Sequence, residues 1–116
     1  MSDFIIKTRT AAGNTSVCVV DVAGVLDLNT SGAFDDAFQE LIRKKQFKIV
    51  LNLEKLTYIS SAGIGVLLGS IKEVRKNRGD IKIAGDNPEF DKVVDLLDLQ
   101  KMFPLFKTEQ DAVREY

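Results

Sequence analysis

The stretch Lys48-Ile49-Val50-Leu51-Asn52-Leu53 constrains the fold most, because its apolar residues run almost without a break. Such a run suits a central strand covered on at least one face. The segments on both sides carry helical spacing instead. Before it, Phe34, Ala37, Phe38, Leu41 and Ile42 recur at helical intervals and lead into the basic run Arg43-Lys44-Lys45, which suits a last helical turn. After it, Ile64, Leu67, Leu68, Ile71 and Val74 make one apolar face that continues to about Asn77, with Lys72, Glu73, Arg75 and Lys76 turned to water. A buried strand between two amphipathic helices predicts two βαβ-like crossovers.

The rest of the chain fills in around that unit. Phe4 to Thr10 reads as a first strand, Ala12-Gly13-Asn14 as a turn, and Ser16 to Val22 as a second strand paired with the first. Gly24 to Asn29 reads as a loop, and Asn29 or Thr30 as the cap of the first helix. Arg78-Gly79-Asp80 stops the second helix before a strand over Ile81 to Ala84. Asn87-Pro88 opens a third helix with Phe90, Val93, Val94 and Leu97 on its buried side. Phe103 to Phe106 is a candidate edge strand, whose Phe103, Leu105 and Phe106 read as core residues, with an exposed docking patch as the alternative. Thr108 begins a last helix, with Asp111 at capping-box spacing. Cys18, in an apolar strand, reads as a small core residue. The predicted class is α/β, one domain over 1–116, with a mixed sheet of four to five strands packed with about four helices.

Composition removes whole classes of function. With 16 Lys+Arg against 17 Asp+Glu, the net charge of −1 lacks the basic excess of a nucleic-acid binder. With no His and a single Cys, the usual zinc ligand sets and any Ser-His-Asp or Cys-His centre are ruled out. No cofactor and no metal are expected. The single Cys also makes an intramolecular disulfide impossible, so nothing calls for an oxidising compartment. Met1-Ser2-Asp3-Phe4 lacks the basic-then-apolar pattern of a signal peptide, and no apolar run approaches the roughly 20 residues of a membrane helix. A cytoplasmic setting without membrane insertion is the expectation.

The most informative segment is Leu51 to Leu68, read as a strand, a short loop and a helix start, with the hydroxyls of Ser60 and Ser61 at the junction. The first N–H groups of a helix have no internal partners, and the helix dipole favours negative charge there. Ser61 reads as the helix N-cap, and a capping hydroxyl at such a place is also a candidate phosphate acceptor. Gly63, Gly65 and Gly69 read as small residues that let a helix lie close to its neighbour. Gly63-Ile64-Gly65 falls short of a dinucleotide-binding fingerprint, because the third glycine position is Leu68. No Gly-Lys-Ser/Thr triplet of a P-loop occurs.

Gly24-Val25-Leu26-Asp27, the Ile49 to Leu53 strand and Ile59-Ser60-Ser61-Ala62-Gly63-Ile64-Gly65-Val66-Leu67-Leu68 together resemble the STAS-domain family, most closely its single-domain bacterial anti-sigma factor antagonists. The resemblance extends through Asn87-Pro88 and Leu96-Leu97-Asp98-Leu99 and so covers nearly the whole chain. It implies a partner-switching module. The unphosphorylated antagonist binds an anti-sigma factor that is itself a GHKL-type serine kinase. Phosphorylation releases it, and a PP2C-type phosphatase resets it. Against the family's Asp-Ser-(Ser/Thr)-Gly motif, Gly63 takes the glycine position, Ser61 the phosphoacceptor, and Ala62 the third residue. Ser60 stands where the motif has Asp, which makes it a competing acceptor. Val25 stands where a Glu is common.

The partner-binding patch implied by the resemblance comprises Asp27, Thr30, Ser60, Ser61, Ala62 and Gly63. Asp27 has a second reading from its type alone, a turn residue whose carboxylate accepts from nearby backbone N–H groups. If the second and third strands run parallel, Asp27 and Ser61 leave their carboxyl ends on one rim, where sites gather in α/β sheets. Two alternatives stay open: a STAS subunit of another assembly (a stressosome, a secretion regulator or a transporter-associated protein), and a weak nucleotide-binding domain.

Overall fold

The computed structural model of the chain describes residues 4–116. Met1–Asp3, read above for a leader pattern, lie outside them. The elements are β1 (Ile5–Ala11), β2 (Asn14–Leu26), α1 (Ser31–Arg43), β3 (Lys48–Ile59), α2 (Ser61–Lys76), β4 (Asp80–Ala84), α3 (Pro88–Leu97), a 3-10 turn (Leu99–Lys101), β5 (Leu105–Phe106) and α4 (Glu109–Arg114). They form one sheet in the order β1-β2-β3-β4-β5. β1 is antiparallel to β2, and every other neighbouring pair is parallel.

The central position of β3 explains its unbroken apolar run. On one sheet face Ile49, Leu51 and Leu53 join Phe34 and Phe38 of α1, Leu67 and Ile71 of α2, and Phe90 of α3 in the main core. Phe34 and Phe38 meet edge to face, with ring centroids 5.0 Å apart, an arrangement that suits the aromatic quadrupole. On the other face Val50 packs with Val17, Val19 and Ala84 under Ala112 and Val113 of α4. A strand covered on both faces over these positions has no need of alternation.

Two sequence expectations fall short in the same place. Gly24 to Leu26 belongs to β2, so the loop is reduced to Asp27–Thr30, and Glu54 to Ile59 belongs to β3. Polar Glu54-Lys55 and a glycine look like breaks in sequence. Parallel pairing of Val25 with Tyr58 and of Leu26 with Ile59 overrides them, and two register shifts absorb the mismatch. Gly24 sits at φ 93° beside one of these irregularities, a conformation that a residue with a Cβ rarely adopts.

β4 ends opposite Asn52, so α3 takes the place of a further strand beside the tail of β3. Asn87 joins the two. Its side chain accepts from the Phe90 N–H (3.0 Å) as the cap of α3 and donates to the carbonyls of Leu53 (2.6 Å) and Leu56 (2.8 Å). Leu97, expected on the buried side, is 49% exposed. The left-handed Asp98 (φ 53°) ends α3 there, and Leu99 enters the core in its stead. Thr108 caps α4 by accepting from the Asp111 N–H, but the Asp111 carboxylate pairs with Arg114, so only half of the expected capping box forms.

Candidate functional site

The carboxyl ends of β2 and β3 lie side by side, and the Ser60 N–H donates to the Leu26 carbonyl at 2.8 Å. The ladder therefore reaches one residue past β3 and holds Ser60 in an extended conformation (φ −90°, ψ 173°). That bond decides which serine caps α2. The Ser60 hydroxyl accepts from the Gly63 N–H at 3.5 Å, a long contact, and its carbonyl accepts from the Ile64 N–H at 3.0 Å. Ser61, expected as the cap, is instead the first helical residue, and it is exposed. Its hydroxyl stands at the amino end of a helix while its neighbour performs the capping.

Gly63 explains how α2 comes so close to the strand ends. A Cβ built there would lie 2.9 Å from Ile59 Cγ1 and 2.9 Å from Leu26 Cγ, closer than carbon atoms pack. At Gly65 and Gly69 a Cβ would meet nothing within 4 Å. Of the three small residues read as a close-packing stripe, only Gly63 is in such a contact.

Across the rim, the Asp27–Thr30 loop is a closed turn. Asp27 Oδ1 accepts from the Asn29 N–H (2.9 Å), and its carbonyl accepts from the Ser31 N–H (2.8 Å). Thr30 stands at the cap position of α1 but makes no side-chain cap, contrary to expectation; nor does Asn29. The Thr30 hydroxyl accepts from the Asp27 N–H and donates to the Val25 carbonyl, both at 2.9 Å. Tying the loop back to β2 takes the hydroxyl that would have capped the helix. Asp27 thus follows Leu26, Ser60 and Ser61 follow Ile59, and the Leu26–Ser60 hydrogen bond joins the two exits. Ala62 is half-buried and Gly63 buried behind them.

Two residues of this rim escaped the sequence reading. Leu28 is 79% exposed at the tip of the loop, and Tyr58 is 55% exposed just before Ser60. The usable signal was Leu28 itself, an apolar residue between turn formers in Asp27-Leu28-Asn29.

A second polar cluster, also unforeseen, lies on the sheet face under α4. Arg9 donates to both Asp21 carboxylate oxygens (2.7 and 3.1 Å) and to both of Glu109 (2.5 and 3.0 Å), and Asn52 donates to Glu109 at 3.1 Å. The Arg9 guanidinium holds the Glu109 carboxyl below the usual carboxylate range, with the Asn52 amide assisting and partial burial opposing. At the far end of α4, the Tyr116 hydroxyl accepts from the Ile49 N–H (3.1 Å). Its one proton serves the carbonyls of Ile49 and Asp80, both at 2.6 Å. Burial pushes this phenol's pKa upward.

Cys18 is half-buried against the main core, its thiol donating to Gln46 Oε1 at 2.9 Å, and burial raises its pKa. Phe103 is buried, whereas Leu105, also assigned to the core, is 37% exposed. Among the described residues no group of three or more His, Cys, Asp and Glu side chains is arranged to hold a metal ion. No helix among them is long and apolar enough to cross a membrane.

Comparison with known proteins agrees with this architecture. The STAS domain family profile matches residues 8–112. An anti-sigma F factor antagonist of Paenibacillus polymyxa is 32% identical over 100 residues, covering 85% of this chain and 86% of that protein. An anti-sigma factor antagonist from Mycobacterium paratuberculosis superposes with a TM-score of 0.85 at 24% identity, over 97% of this chain and 93% of that one. The Bacillus cell fate determinant SpoIIAA in its phosphorylated form superposes with a TM-score of 0.74 at 20% identity, over 96% of this chain and 98% of that one. At these identities the structural likenesses speak for the fold, and the profile match and the Paenibacillus relative for the family. The chain belongs to the STAS-domain family.

Proposed function

We propose that the protein is an anti-sigma factor antagonist that acts by binding, and that phosphorylation of Ser61 switches the binding off. The observation that carries this reading is an exposed Ser61 hydroxyl at the first position of α2, in a chain similar to an anti-sigma F factor antagonist. In the unphosphorylated state the rim formed by Asp27, Thr30, Ser60, Ser61, Ala62 and Gly63 contacts an anti-sigma factor that is a GHKL-type serine kinase. The kinase transfers the γ-phosphoryl group of ATP to Ser61 Oγ and leaves ADP. A PP2C-type phosphatase hydrolyses the ester to restore the hydroxyl. The cycle belongs in the cytoplasm.

The physical basis is charge. A phosphoserine adds about −1.5 to −2 charges at neutral pH. Within a contact surface that charge must be desolvated without a prepared partner, so affinity falls. The fold is spared, because Ser61 takes no part in the Ser60–Gly63 cap, and anions are tolerated at a helix amino end.

The test is phosphorylation of the full chain by purified anti-sigma factor kinases with ATP, read by mass spectrometry. Phosphate is expected on Ser61 and should vanish in Ser61→Ala. Labelling that persists in Ser61→Ala and is lost in Ser60→Ala would move the acceptor to Ser60.

A further inference from the structure

Among the described residues, the tail of β3 has a strand on one side only. β4 stops at Ala84 opposite Asn52, whereas β3 runs on beside β2 to Ile59. Asn87 closes the first part of the open edge through the Leu53 and Leu56 carbonyls. Beyond Leu56 the edge borders a groove of about 220 Å³ between the strand and α3. Leu56, Ile59, Phe90 and Val93 give it an apolar lining, and Tyr58 stands at its side. Glu89 and Lys92, on the α3 wall, are paired with each other at 3.4 Å, so the groove asks for no charge of either sign.

A strand edge and an apolar floor together specify the occupant. An exposed edge offers backbone donors and acceptors in a row, which an extended chain matches. The floor adds a place for an apolar side chain of that chain, as in strand-addition complexes. The groove also adjoins the switch region along the chain, since Thr57, Tyr58 and Ile59 border it. Ile59, part of its lining, is the residue whose Cγ1 would touch a Cβ at Gly63, and Ser60 follows directly.

We propose that this groove receives an uncharged, extended segment of the same partner that contacts Ser61. The backbone of the segment runs along Thr57–Ile59, and one apolar side chain rests on Leu56, Phe90 and Val93. The proposal rests on the anti-sigma factor reading and adds to it a second contact that phosphorylation does not touch directly.

The test titrates the purified kinase that labels Ser61 against the full-length chain, Val93→Arg and Ser61→Asp. Amide hydrogen exchange is measured on the wild-type chain, free and bound. Val93→Arg is expected to stay folded at the temperature of the titration and to bind at least tenfold more weakly, and exchange over Thr57–Ile59 is expected to slow in the complex. Wild-type affinity in Val93→Arg with unchanged exchange would overturn the groove, and loss of binding in Ser61→Asp would still leave the switch standing. Wild-type affinity in Ser61→Asp would instead overturn the switch. Should Val93→Arg be unfolded at that temperature, the exchange measurement alone decides.

Discussion

The rim that carries Ser61 and the sheet face under α4 solve opposite problems. α2 has 16 residues and an apolar face buried in the main core. Packing fixes it, and its first turn holds an exposed serine and a single long capping contact. α4 has six residues, too few to be stable through its own hydrogen bonds. It buries Ala112 and Val113 and is secured at both ends by polar side chains, Glu109 to Arg9 and Asn52, and Tyr116 to the backbone of Ile49 and Asp80. Polar groups are free for recognition where apolar packing suffices to hold the element, and are consumed by anchoring where it does not.

The two regions are therefore expected to respond differently to substitution. The largest effect is expected at Ser61. Ser61→Asp should weaken binding to the kinase by about a hundredfold or more, equivalent to about 2.7 kcal/mol, with a melting temperature close to the wild type. An unfolded variant would show Ser61 to be structural and erase the contrast. Gly63→Ala should lower stability in urea by about 1–3 kcal/mol, because its Cβ meets branched side chains on both strand ends. A stability equal to the wild type would mean that α2 is free to shift on the rim.

On the anchored side, Tyr116→Phe should cost about 1–2 kcal/mol, since the Ile49 N–H and two carbonyls lose their partner. Kinase binding should be unaffected, which sharpens the separation of the regions. Glu109→Gln is expected to lose about 1 kcal/mol at pH 7, allowing for the partial exposure of Arg9. The sign of its pH dependence follows from the depressed Glu109 pKa. The contribution is full above the unfolded carboxylate value of about 4.3 and is lost as the pH falls through the lower folded value. The wild type and Glu109→Gln should therefore converge in urea melts taken in acid. The smallest effect has the opposite sign. Gly69→Ala should stabilise by about 0.5–1 kcal/mol, because the added methyl meets open space on a helix.

The same contrast separates what could be read in the sequence from what could not. Asn87 as the cap of α3 and the apolar face of α2 were legible because caps and periodicity act within one turn of chain. The identity of the α2 cap was not. A serine pair can start a helix at either hydroxyl, and a hydrogen bond to Leu26, far away in sequence, selects Ser60. Thr30 was misread for a related reason, its hydroxyl being drawn to Val25 and Asp27 by the shape of the loop. Arg9 and Glu109 lie 100 residues apart, so no local pattern announces their pairing.

From the sequence alone come the α/β class, the order of the elements, the buried central strand and a serine pair at a helix start. Each is set by short-range spacing and by the sorting of apolar from polar residues. Tertiary structure decided how far β2 and β3 extend, which serine caps and which stands exposed, that Leu28 and Tyr58 face outward, and that a strand edge lies open beside α3. Those outcomes depend on parallel pairing and on contacts between distant segments, and backbone groups choose among such partners only once the sheet has brought them together.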